Sequence, residues 1–339
     1  MTTPTRHEPV AAFGTGYLTT RILREGPHYL WCRAPGAART GGFTPIPPSA
    51  RRTLTALPAD GARIVLGDDA PAGPGEDTPA GTTERRYRVG SPYSLGHVLG
   101  NHRAAPQQWA ALPRLLHQAG RTLRTVHEHV PTSHAEGAPH GTLRLAGWLA
   151  GRPGPGQAGR LHQEARARLG QDRLEQAAQW CAALNSPGER NVFLLGGAAL
   201  GSVVPDPSGT DCLIMAGEEL ARGPAAYDLG WVLGELAEFR LLHFAGGDHT
   251  ADAAHCAEAS GALVAGYGAA GTDRAEVARA AVLRMLIHTH DYAAFVDWTD
   301  QLTRYLDLLA ELIDHPLAAV GDFADAPAGH RQIHQPEEQ

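Results

Sequence analysis

Lysine is absent from all 339 residues, so the 29 residues counted as lysine plus arginine are all arginine. This excludes Schiff-base chemistry, a lysine nucleophile and a lysine point charge on a phosphate. The accompanying richness in Gly (40) and Pro (25) fits GC-rich coding, in which arginine codons displace lysine ones. Cysteine is scarce: Cys32, Cys181, Cys212 and Cys256 are far apart and form no C-x-x-C, the pattern of reduced thiols rather than a zinc or redox motif. No apolar run approaches the roughly 18 residues of a membrane span, and the N-terminus has no apolar segment, so a soluble cytoplasmic protein with no membrane contact is expected. Net charge is −7, with arginines scattered among acids, which gives no electrostatic basis for nucleic-acid binding.

What is present divides the chain in two. Residues 1–96 read as strands and turns. Val10–Arg24 is a hairpin pattern with Gly14 and Gly16 in a flexible turn, and Tyr29–Arg33 and Ala62–Leu66 are short strands. Ser49–Leu57 is a short helix. The Pro/Gly-rich stretch 67–84 reads as a mobile surface loop. After about Leu95 the period becomes helical. Leu115, Leu116, Ala119, Leu123 and Val126 share one face, and helices are expected over Leu161–Leu184, Tyr227–His243, Ala251–Tyr267, Glu276–Trp298 and Gln301–Asp314. The expected architecture is α+β and two-lobed: a β-rich lobe over 1–96, a helical lobe over 97–325, and a disordered tail over 326–339.

Several segments carry a family resemblance. Phe13-Gly-Thr-Gly-Tyr-Leu-Thr-Thr-Arg21 and Gly26–Gly36 resemble the opening hairpin and phosphate-binding strand of the aminoglycoside phosphotransferases and choline-kinase-like enzymes, relatives of protein kinases. Leu115–His127 resembles their helix after the hinge. Phe193–Gly209 has the length and layout of their catalytic loop, and Gly223-Pro-Ala-Ala-Tyr-Asp-Leu-Gly-Trp231 their Asp-Leu helix start. The resemblance implies a protein-kinase-like fold and a nucleotide cleft at Gly14, Gly16, Arg33 and Glu218.

The same alignment implies that the chemistry is missing. The family's His-Gly-Asp reads Leu195-Gly196-Gly197. Its metal-binding Asn falls at Ser202, and its metal-binding Asp at Met215 or Ala216. The phosphate-holding lysine becomes Arg33, and the helix acid that pairs with it falls at Ala50. No catalytic residue and no metal ligand is therefore expected, and no cofactor. Phosphoryl transfer rests on positioning and charge neutralisation, so losing base and metal ligands together leaves little to work with. The retained positions hold shape: Gly196, Gly201, Pro224, Tyr227 and Asp228, the last read as a helix cap. Apolar Leu195, Leu200 and Met215 are expected to make the cleft greasier.

The favoured expectation is a pseudokinase that binds a peptide or protein, such as an active kinase or lyase of the same pathway. Gly223–Glu238 is reminiscent of kinase-like subunits of class V lanthipeptide and thioamitide systems, which would place it in natural-product biosynthesis. The alternative is an ATP/Mg²⁺-dependent phosphotransferase acting on a small molecule or Ser/Thr peptide, with metal ligands relocated to Glu218, Glu219, Asp206 or Asp211. His243, His249, His255 and Cys256 have poor spacing for one zinc ion, and His288 and His290 do not face each other on a helix.

Overall fold

The computed structural model describes residues 8–58, 61–72, 83–101, 105–243, 249–268 and 272–321. Glu8–Gly14 (β1), Leu18–Glu25 (β2) and His28–Pro35 (β3) form an antiparallel meander, followed by the helix Pro48–Ala56 (α1) and the strands Arg63–Leu66 (β4), Asp68–Pro71 (β5) and Thr83–Val89 (β6). One five-stranded sheet results, in the order β1-β2-β3-β6-β5. Alternation explains its buried face: Thr20 and Ile22 on β2, and Arg85, Tyr87 and Val89 on β6, all lie inside. The expected mobile loop at 67–84 is corrected at both ends. Asp68 and Asp69 pair across β6 with Arg86 and Arg85, an opposite-charge ladder that turns a polar stretch into a strand. Residues 73–82, like the tail beyond 321, lie outside the described residues.

Leu95–Gly100 (α2) and Pro106–His129 (α3) open the helical lobe, followed by His140–Leu149 (α4) and Ala158–Asn185 (α5). Pro106 stands at the first turn of α3, where its missing N–H costs nothing. Gly170 breaks α5 with φ 75°, so the single long helix expected there is two. Four short strands come next: Asn191–Leu194 (β7), Val203–Pro205 (β8), Cys212–Ala216 (β9) and Ala221–Pro224 (β10). The lobe ends with Ala226–Glu238 (α6), Thr250–Tyr267 (α7), Arg274–Phe295 (α8), Gln301–Asp314 (α9) and Leu317–Val320 (α10). The helix expected over Tyr227–His243 changes to a π turn at Phe239–His243.

Two features join the lobes. β4, read in the sequence as part of the first lobe, pairs in parallel with β9 of the second, and β9 pairs with β8, so this sheet crosses the division expected at residue 96. A small core of Ile22, Trp31, Tyr87, Val89, Val204, Leu213 and Met215 is likewise drawn from both halves. Among the described residues no helix is long and apolar enough to cross a membrane.

Candidate functional site

Between the sheet and the helices lies a cleft of about 750 Å³. Phe13, Leu18, Trp31 and Arg33 come from the sheet, Tyr93 and Val98 from the segment linking the lobes and its helix, and Gly201 and Ser202 from the loop after β7. Leu195, Leu200 and Met215 do not line it. All three are buried, the leucines in the helical core and Met215 beside Trp31, because strand and loop direction turn them away. The apolar character of the cleft comes from Phe13, Leu18, Trp31, Tyr93 and Val98 instead.

The loop that should carry catalysis is held by α6. The Asp228 carboxylate accepts from the backbone N–H of Leu195 (2.8 Å) and Gly196 (3.2 Å), and sits 3.2 Å from His127 Nε2, whose other ring nitrogen meets Tyr267 Oη at 2.9 Å. Two turns on, Glu235 accepts from Leu200 N–H at 2.5 Å and pairs with Arg284 at 2.9 Å. Asp228 is thus no helix cap, as α6 has no side-chain cap bond. It caps the loop.

Gly196 and Gly197 have φ 79° and 126°, where other residues are strained. A Cβ on Gly196 would stand 1.6 Å from the Glu219 carbonyl oxygen, so loop and post-β9 segment touch only because the side chain is absent. At Gly197 the nearest atom to such a Cβ would be Trp231 Cε2, at 3.6 Å. Trp231 Nε1 and Tyr227 Oη, a turn apart on α6, are buried donors without a protein partner. The indole ring of Trp231 thus faces position 197, while Tyr227 Oη lies against Gly141.

Arg33 reaches the centre of the cleft from β3, and both of its terminal nitrogens are engaged by the protein, while its buried Nε has no partner. Its Nη1 donates to Ser202 Oγ (3.0 Å) and Glu218 (3.2 Å), and its Nη2 to the Gly201 carbonyl (2.8 Å). Its acid is therefore Glu218, not a residue of α1, where Ala50 is buried in the helical core. Ser202, Arg33 and Glu218 of the sequence-derived site are brought together, whereas Met215 and Ala216 end strand β9, paired with Val65 and Leu66 of β4, and the Ala216 carbonyl accepts from Tyr87 Oη at 3.4 Å.

Gly14 and Gly16 do not form a loose turn. Gly16 N–H donates to the Phe295 carbonyl of α8 at 2.7 Å, which docks the hairpin tip on the helical lobe. Next to it, Tyr17 bonds through its hydroxyl to Glu219, accepts from Arg144 Nη1 at 2.5 Å, and has the Arg39 and Arg144 guanidinium carbons 4.4 and 4.1 Å from its ring centroid. Arg39 also pairs with Glu219 (3.0 Å), and Arg144 with Asp291 (2.6 Å). Burial, reinforced by the Glu219 carboxylate, pushes the Tyr17 phenol up, so it stays a donor. Sequence reading missed this cluster, since its members lie up to 274 positions apart (Tyr17 to Asp291) and no local pattern announces them.

The acids proposed as relocated metal ligands separate. Glu218 and Glu219 hold arginines, while Asp206 and Asp211 face each other in the β8–β9 turn, where Asp206 takes Ser208 Oγ and Asp211 N–H. Among the described residues no three His, Cys, Asp or Glu side chains converge as a metal site. His249 bonds Asp252, His255 packs on Trp109, His288 bonds Glu238, and His290 bonds Asp291. The cysteines are free and buried, with burial pushing the Cys212 thiol up to about 12.

No family model matches the sequence, and no curated protein does either. Solved structures do match in shape. An amicoumacin kinase solved with AMP-PNP and Ca²⁺ superposes with a TM-score of 0.54 at 11% identity, covering 93% of this chain and 90% of its own. This chain has the fold of the aminoglycoside phosphotransferases and related small-molecule kinases. A spectinomycin phosphotransferase solved with ADP and spectinomycin gives 0.52 at 10% identity, covering 92% and 93% of the two chains. A microcompartment-associated aminopropanol kinase gives 0.51 at 14%, covering 93% and 94%. At these identities the phosphotransferase fold is what is shared.

Proposed function

We infer that this chain is a phosphotransferase-fold protein without phosphotransfer, acting as a binding partner for a peptide or protein in a biosynthetic pathway, with ribosomal-peptide modification the natural setting. The observation that carries it is the engagement of Arg33. The cationic side chain at the phosphate-holding place is tied to Glu218, Ser202 and the Gly201 carbonyl. A triphosphate would have to displace an internal carboxylate to reach it. Mg²⁺ is ordinarily held through one or two carboxylates plus phosphates. Here the carboxylates beside Arg33 already neutralise arginines, so the residues present do not fit a Mg·ATP complex.

One observation favours the second reading, an active kinase. Ser202 and Glu218 meet at the same guanidinium nitrogen, the place a metal ion would take from the arginine in such a kinase. Radiolabelled ATP with Mg²⁺ and candidate acceptors decides between them. The expected result is no transfer above a buffer blank to an aminoglycoside, choline or a Ser/Thr peptide. Turnover abolished by Glu218→Ala would establish the kinase reading.

A further inference from the structure

We propose that Trp31 is the built-in occupant of the base-binding part of this cleft, so that the protein carries its own aromatic ligand where a nucleoside would otherwise bind. The proposal extends the reading above to the other end of the cleft and stands on different residues. Trp31 and Arg33 are two apart on β3, hence on the same face, and both line the cleft. Side chains of Ile22, Tyr87 and Val89 from the sheet and Val204 and Leu213 from the far side share a core with the indole, which is 1% exposed. Its Nε1–H donates at 3.0 Å to the carbonyl of Ser91, in the segment that links the lobes.

A nucleobase is a flat aromatic ring with N–H donors, and it is recognised by apolar faces plus a few backbone groups. The indole has the same attributes: a flat ring between apolar walls and one N–H on a backbone carbonyl. His97 stands edge-on to it, with centroids 6.0 Å apart and an interplanar angle of 89°. Burial lowers the His97 pKa, which keeps this neighbour neutral. In the linking segment itself, Tyr93 N–H faces Ser91 Oγ at 3.4 Å. Trp31 thus blocks a base by occupying both its volume and its acceptor. The remaining cleft in front, toward Phe13, Leu18 and Tyr93, has apolar walls suited to a side chain.

The test compares wild type, Trp31→Ala and a matched control, Trp148→Ala, with adenosine and indole as probes in thermal melts. Trp148 is also buried and also donates its indole N–H to a backbone carbonyl, Ala158 at 2.9 Å, but does so within the helical lobe. Wild type should be unmoved by millimolar adenosine. Trp31→Ala should melt lower, and adenosine should raise its midpoint saturably by several degrees, since ribose can leave through the open cleft. Trp148→Ala should gain nothing from adenosine. Adenosine stabilising the wild type would overturn the proposal, because the base site would then be free. Indole but not adenosine rescuing Trp31→Ala would also overturn it, leaving Trp31 an ordinary core residue. If the alanine variant does not fold, ¹⁵N-tryptophan spectra of the wild type decide. A solvent-protected Trp31 indole N–H, unshifted by adenosine, is expected, and a fast-exchanging or shifted one refutes. Failure here leaves the neutralised Arg33 untouched, whereas ATP turnover by the wild type would remove the functional reading itself.

Discussion

Deleting the Glu218 carboxylate separates the two accounts of the cleft. The Arg33 and Glu218 side chains are 8% and 13% exposed and 3.2 Å apart. Breaking a buried pair by removing one partner costs about 3–5 kcal/mol, mostly from the charge left behind. Arg33 would keep Ser202 Oγ and the Gly201 carbonyl, so Glu218→Ala should cost closer to about 2 kcal/mol. The freed guanidinium should then accept an anion. Inorganic triphosphate at ten times its dissociation constant would return about 1.4 kcal/mol, without Mg²⁺. Urea denaturation of the wild type, Glu218→Ala and Glu218→Gln, each with and without triphosphate, measures both terms. Gln keeps an acceptor for Arg33 without the charge and should fall between the other two. Equal stability of wild type and Glu218→Ala would refute the pairing argument. Triphosphate stabilising the wild type as strongly as the variant would show that Arg33 is not closed off.

Asp228→Ala should cost about 3 kcal/mol or more, because the buried N–H groups of Leu195 and Gly196 both lose their acceptor. A loss under about 1 kcal/mol by urea midpoint would show that α6 does not grip the loop. Acid stability should depend on Glu238. Burial alone would raise this carboxyl, but Arg284 and His288 hold it well below the usual carboxylate range. Its contribution is therefore complete above the unfolded value of about 4.3 and is lost as pH falls through the depressed folded value. The gap in melting midpoint between wild type and Glu238→Gln should narrow from about pH 5 to pH 3, and a gap that stays constant refutes the assignment.

Much of the fold was legible because periodicity is local. A hairpin pattern and the β-rich run Tyr29–Arg33 mark β2 and β3, and the α9 limits Gln301–Asp314 follow from an apolar stripe. What local pattern could not show is pairing at a distance. β5 looks like a polar loop until Arg85 and Arg86 lie opposite its aspartates, and β4 reads as part of the first lobe until it finds β9. At the site, the loss of charge at Gly197, Ser202 and Met215/Ala216 was visible from residue identity. The replacement of the lost contacts was not, with one exception. Trp31 lies two residues before Arg33, and strand period alone puts the pair on one face. The Tyr17 cluster had no such signal, as it is assembled from the β1–β2 turn, the post-β3 segment, α4, the post-β9 segment and α8.

The internal partners also bear on motion. Phosphotransfer by a two-lobed enzyme requires a cleft that opens for nucleotide and closes for chemistry. Here, besides the β4–β9 pairing and the shared small core, side chains tie the lobes at two points. Arg33 holds the loop and Glu218, and Tyr17 with Gly16 holds Glu219 and α8. Opening would part Arg33 from Glu218, Ser202 and the Gly201 carbonyl, a penalty of about 1–3 kcal/mol for each bond lost. Restoring a carboxylate at Gly197 would not undo this. A non-glycine residue at φ 126° carries a backbone strain of about 1–3 kcal/mol, and the arginine needed for the phosphates would still belong to Glu218. On the proposed reading, these contacts, with Asp228 and Glu235 bracing the loop, favour one lobe angle and a constant surface for a partner over a cycle of nucleotide entry and release.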